Sequence, residues 1–154
     1  MMQQLQRLQR LRALRLQLAT NLYEKLKQHK AACQRHKELC ETRRHASQQE
    51  FKRSLVSFEA TMQAGDLTGA EFAAFGQRRA YYEKLDLYHE ADSLQAEFEL
   101  MEATERCEAA RLGYIAALRQ LEKIELLIKK QQEEANAQAL IAEEGQAEEA
   151  WTRK

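Results

Sequence analysis

No proline occurs anywhere in the 154 residues, and two of the five glycines fall four apart in a single stretch, QAGDLTGAEF, residues 63–72. Without proline there is no obligatory helix breaker, so helices run until glycine and capping chemistry stop them. Three such signals coincide here. Gly65 can take the left-handed conformation that closes a preceding helix. Thr68 and Glu71 have the spacing of a capping box for the next helix. Leu67 and Phe72 fall at N′ and N4, the hydrophobic-staple positions. The spacing predicts one hairpin over 1–154: helix 3–64, turn 65–68, helix 69–145 and a frayed acidic tail 146–154. Gly76 and Gly113 stand alone in good helical context, where each costs about 1 kcal/mol.

The chain is rich in Gln, Ala, Leu, Glu and Arg, all strong helix formers. Aromatics make up only 7%, too few for an ordinary compact core, so an all-α element with a thin apolar seam is expected. In the first helix that seam can be followed as Leu18, Leu22, Leu26, His29, Cys33, His36, Cys40, Arg43, Ser47, Phe51, Leu55, Phe58 and Met62. Its mean step is about 3.7, which is helical spacing. In the second, Leu100, Ala103, Cys107, Ala110, Tyr114, Ala117, Leu121, Ile124 and Ile128 recur at about 3.5, the coiled-coil period. The small residues among them would let two backbones approach closely.

Charge favours an antiparallel coiled-coil hairpin. Residues 1–64 carry 13 basic and 5 acidic side chains; residues 65–154 carry 11 and 19. Two helices of net +8 and −8 attract along their length, and like helices of two chains do not. Helix rise gives lengths of about 90 Å and over 110 Å. With the turn centred on residue 67, position i faces roughly 134 − i. Helix one then ends opposite residue 131, and QQEEANAQALIAEEGQAEEAWTRK overhangs. Two readings of that segment stand open, a solvated tail that frays past Gly145 and a partner-docking arm.

The chemistry-bearing clusters are few. HKAACQRHKELC puts His29, Cys33, His36 and Cys40 on one stripe, facing Glu105, Met101, Phe98 and Leu94 by the register above. Four ligands spread over three turns of one helix cannot converge on a tetrahedral ion, so a partly polar piece of seam is expected and no metal. No phosphate loop, HExxH, GxSxG or paired-carboxylate pocket is present, and no enzyme activity or cofactor is expected. The arginines of RLQRLRALR have no interleaved aromatics, which argues against nucleic acid. No run of 18 apolar residues occurs. Residues 1–20 lack a cleavage-site pattern, and their arginines interleave with the leucines, unlike a transit peptide. Three cysteines inside helical pattern fit a reduced, cytoplasmic chain. Past the turn, five aromatics crowd into 17 residues, Phe72, Phe75, Tyr81, Tyr82 and Tyr88. Phe75, Tyr82 and His89 form one strip. Tyr81, Leu85 and Tyr88 form a second, which either packs on the first helix or stays exposed as a binding surface.

A proline-free chain that opens LQRLQRLRALR, turns once, runs GAEFAAFGQRRAYYEKLDLYHEADSLQ and closes EEAWTRK resembles the YscO/FliJ family, the central stalk proteins of type III secretion systems. The injectisome YscO branch is the better match, on its Glu series and Glu/Gln-rich tail. The resemblance spans the chain and rests on architecture and residue style. It implies a hairpin similar to the stalk of the γ subunit of rotary ATPases, monomeric and non-enzymatic. The paired termini would engage a hexameric export ATPase through Leu5, Arg7, Leu8, Arg10, Leu11, Arg12 and Arg15 with helix-two residues beyond about 120. The turn end would meet the cytoplasmic domain of the membrane export gate through Tyr81, Leu85 and Tyr88. Export chaperones are further implied partners, and the implied location is cytoplasmic, peripheral at the inner-membrane export apparatus. The alternative class is a homo-oligomeric coiled-coil scaffold of cytoskeletal or trafficking type.

Overall fold

The computed structural model describes residues 1–153. They form two long helices, α1 (Met2–Gln63) and α2 (Gly69–Thr152), and no strand is found among the described residues. The helices pack against each other in two compact units. The turn unit comprises Leu26–Cys107; the terminal unit comprises Met1–Lys25 with the described residues from Glu108 onward.

In the turn unit the break is built as its residues dictate. Gly65 has φ +74°, the left-handed region, and its N–H donates to the Met62 carbonyl at 3.2 Å. That closes α1 without the steric cost a Cβ would bring. The Thr68 hydroxyl accepts from the Glu71 N–H at 3.2 Å, capping the first turn of α2. Beyond the turn the rings interlock. Phe58 stacks on Phe75 with centroids 3.8 Å apart and sits 6.1 Å from Phe72, and Phe51 meets Tyr82 at 5.5 Å. Next, Arg44 Nε donates to Asp86 Oδ1 at 3.1 Å, and Gln48 Nε2 reaches the same oxygen at 3.2 Å. Partner numbers on α2 rise as those on α1 fall, so the helices run in opposite directions.

The terminal unit repeats that arrangement. Tyr23 stacks on Tyr114 at 5.9 Å. Arg12 Nη1 donates to the Gln120 carbonyl at 2.7 Å. Ala110, Ile124 and Ile128 are buried there, as Ala96, Ala103 and Cys107 are in the turn unit. Every α2 position expected in the seam from Leu100 to Ile128 is buried or half-buried.

On α1 the expected positions Leu26, Cys33, Cys40, Ser47, Phe51, Leu55 and Phe58 are buried or half-buried, and the rest of the seam takes a different course. Buried and half-buried residues recur at alternating steps of three and four, through Leu16, Ala19, Tyr23 and Leu26, then Cys33, Lys37, Cys40, Arg44, Ser47, Phe51, Ser54, Phe58 and Thr61. The mean step is 3.5 and not 3.7. Leu18, Leu22 and Met62, expected inside, are exposed. His29, His36 and Arg43 are exposed too. The physical reason is that long basic side chains can lie in a seam by their methylene stems with the charged head in water. Lys37 and Arg44 therefore hold positions that the expected trace gives to their neighbours His36 and Arg43. Helix bounds also differ at the far end. α2 runs through Gly145 to Thr152, where fraying was expected from residue 146. The Ala, Glu and Gln around that glycine are strong helix formers, enough to outweigh its cost of about 1 kcal/mol. Lys154, the last residue of the expected tail, lies outside the described residues.

Candidate functional site

The terminal unit divides the seven residues implied for an ATPase end into two groups. Leu5, Leu8 and Arg12 turn toward α2 and are half-buried, and Arg12 is tied to the Gln120 carbonyl. Arg7, Arg10, Leu11 and Arg15 are exposed. No acidic residue precedes Glu24, so this outward face is purely basic. Leu14, Leu18 and Leu22 extend it along the same side of α1, three to four residues apart. On α2, Gln131 is half-buried and every described residue from 132 onward is exposed. That arm carries Glu133, Glu134, Glu143, Glu144, Glu148 and Glu149 with Leu140, Ile141 and Trp151 open to solvent.

In the turn unit, Tyr81 and Tyr88 are 61% and 62% exposed, whereas Leu85 is half-buried. The Tyr81 ring rests edge-on against Tyr82 at 5.5 Å, and Tyr82 in turn packs on Phe51. Tyr82 therefore serves the interior and sets the pose of Tyr81, whose own ring stays open to solvent. Phe72 is exposed despite its contact with Phe58. Arg79, beside this group, pairs with Glu83 at 3.0 Å.

The His/Cys stripe separates into two local pairs. Cys33 Sγ lies 3.6 Å from His29 Nε2 and Cys40 Sγ lies 3.7 Å from His36 Nε2. Cys33 and Cys40 are buried while both imidazoles face outward, and two helical turns, about 10.5 Å, separate the pairs. Among the described residues no group of three or more metal-ligating side chains converges. Near the middle of the turn unit, the Arg44 hydrogen bond holds the Asp86 carboxyl below its usual range. Desolvation opposes that effect and the Gln48 amide adds to it.

One face escaped the sequence reading. Leu94, Phe98 and Met101, expected against Cys40, His36 and Cys33, point away from α1. With Leu87 and Ala91 they form an outer stripe at steps of four and three, and its four large residues are each more than half exposed. Glu83, Glu90 and Glu97 repeat every seven residues along one border. The signal was a second heptad pattern on α2, offset from the first.

No helix among the described residues is long and apolar enough to cross a membrane. No protein-family model, curated protein or solved structure matches the chain.

Proposed function

We propose that this chain is a non-enzymatic central stalk and adaptor of a type III secretion export apparatus, of the YscO/FliJ kind. In this reading its two helices form an antiparallel coiled coil comparable to the γ-subunit stalk of rotary ATPases. The 3.5-residue burial period on both helices supports the coiled coil. The observation that carries the functional reading is the outward basic face Arg7, Arg10, Leu11 and Arg15, in one unit with the exposed arm of α2 beyond residue 131. Such a pairing of termini suits insertion between the subunits of a hexameric ATPase, where arginines can meet carboxylates in bidentate geometry. Tyr81 and Tyr88 would engage the cytoplasmic domain of the export gate, and export chaperones are further partners on the same reading. The protein would work in the cytoplasm, peripheral to the inner membrane.

The experiment is stimulation of the export ATPase of the same secretion system by the full chain. Arg7→Glu, Arg10→Glu and Arg15→Glu together should remove stimulation with the circular dichroism spectrum unchanged. Arg12 is left alone because it serves α2. Tyr81→Ala with Tyr88→Ala should spare stimulation and thermal stability and remove binding to the gate domain. A homo-oligomeric scaffold, the alternative, would leave the ATPase unaffected by any form of the chain. Stimulation that survives the triple charge reversal sinks the proposed site.

A further inference from the structure

Besides Tyr81, Tyr88 and the acidic arm, each unit has among its described residues an exposed apolar face outside the seam, and the surroundings of these two are opposite in sign. The α1 face is Leu11, Leu14, Leu18 and Leu22, at steps of three and four, bordered by Arg7, Arg10 and Arg15. The α2 face is the outer stripe from Leu87 to Met101, at the same steps, bordered by Glu90 and Glu97 and, nearer the turn, by Glu83, which pairs with Arg79, and followed on its own line by Glu105. By helix rise the two extend about 17 Å and about 21 Å.

We propose that the occupant of the outer α2 stripe is a second copy of this chain, which lays its Leu11–Leu22 face into it. Three matches single out this occupant. Both faces keep the three-and-four spacing that lets rows of side chains on two helices interdigitate. Their lengths agree to within one helical turn. Their borders are complementary, since residues 1–23 hold four arginines and no acid while the α2 border repeats a glutamate every seven residues. Pairing of like faces, stripe on stripe or leucine face on leucine face, would set glutamates against glutamates or arginines against arginines. Two such patches are small beside a standard protein interface, so the association is weak and steered by charge. Because it uses Leu11 and the arginines beside it, self-association and the ATPase docking proposed above exclude one another. The inference rests on the two faces alone and does not require the export reading.

Sedimentation equilibrium of the full chain tests it, over about 10 to about 300 µM, a range suited to a micromolar equilibrium. The weight-average mass should rise with concentration and fall back at about 1 M salt, where the Debye length is near 3 Å. Phe98→Glu and Leu18→Glu, both at exposed positions, should each hold the chain at the mass of one copy with unchanged helicity. Glu90→Lys with Glu97→Lys should weaken association about tenfold or more, as should Arg10→Glu with Arg15→Glu. Mixing those two variants should restore it, because the reversed charges then meet. A single-chain mass at every concentration overturns the proposal. So does association abolished by Phe98→Glu but untouched by Leu18→Glu, which would mean stripe-on-stripe packing. Association that persists in Phe98→Glu and disappears when residues 132–154 are removed would assign the contact to the acidic arm and overturn it equally.

Discussion

Replacing Ile124 with Ala tests the packing of the terminal unit at its most deeply buried large side chain. Ile124 is 1% exposed, and two residues further on Leu126 is 66% exposed. A buried Ile to Ala change in a protein interior costs about 2–5 kcal/mol, the lost transfer of the removed carbons plus a cavity term. The cavity term should be small here. A seam between two helices has solvent on both flanks, so neighbouring side chains can close in. Transfer alone, at about 1.5–3 kcal/mol for a fully buried aliphatic side chain less what Ala retains, then dominates and gives about 2 kcal/mol. Leu126→Ala removes a similar number of carbons from a largely solvated position and should cost under about 0.5 kcal/mol. Urea unfolding followed by far-ultraviolet circular dichroism measures both, with the slope against denaturant checked for constancy. Equal costs for the two variants would refute the assigned seam. A larger cost at Leu126 would mean that α2 is rotated about its axis relative to α1.

Further outcomes concern the turn and the seam charge. Gly65→Ala places a Cβ at φ +74° and should destabilise by about 1–2 kcal/mol, although the position is otherwise open; Thr68→Ala should remove about 1 kcal/mol by deleting the cap on Glu71. Asp86 has its acid strength raised by folding, so its contribution is present above the unfolded carboxylate range and is lost as pH falls through the lower folded value. The stability gap between the native chain and Asp86→Asn, measured by thermal melts at a series of pH values, should therefore be widest near neutrality and vanish in strong acid.

The turn and the α2 seam were legible because each rests on local chemistry. A left-handed glycine, a threonine cap and a row of small residues act over one or two turns, and no distant contact overrides them. The α1 seam was legible in part: Leu26, Cys33, Cys40, Ser47, Phe51, Leu55 and Phe58 are buried or half-buried as expected, but Lys37 and Arg44 hold positions expected for His36 and Arg43. The expected trace starts on Leu18 and Leu22, takes longer steps, and reaches Met62 one residue past Thr61. The facing rule held to within about one helical turn. Arg12 meets Gln120, Phe58 meets Phe75 and Tyr23 meets Tyr114, pairs whose numbers sum to 132, 133 and 137 against the 134 expected.

The misplaced stripe has a deeper cause. Between residues 87 and 107, α2 carries two apolar faces: Ala96, Leu100, Ala103 and Cys107 on one side, Leu87, Leu94, Phe98 and Met101 on the other. Summed hydrophobicity favours the second, yet α1 takes the first. Close approach decides it. Alanine and cysteine bring the backbones together, so that dispersion contacts form along the whole face and the stems of Lys37 and Arg44 find room. Phe98 and Met101 against the same partner would hold the helices apart and leave gaps between them, each gap forfeiting contacts on its lining. The smaller face wins the intramolecular contact, and the larger one is left in water. A stripe of that size left in water is the part of this chain that calls for a partner, whatever apparatus the chain serves.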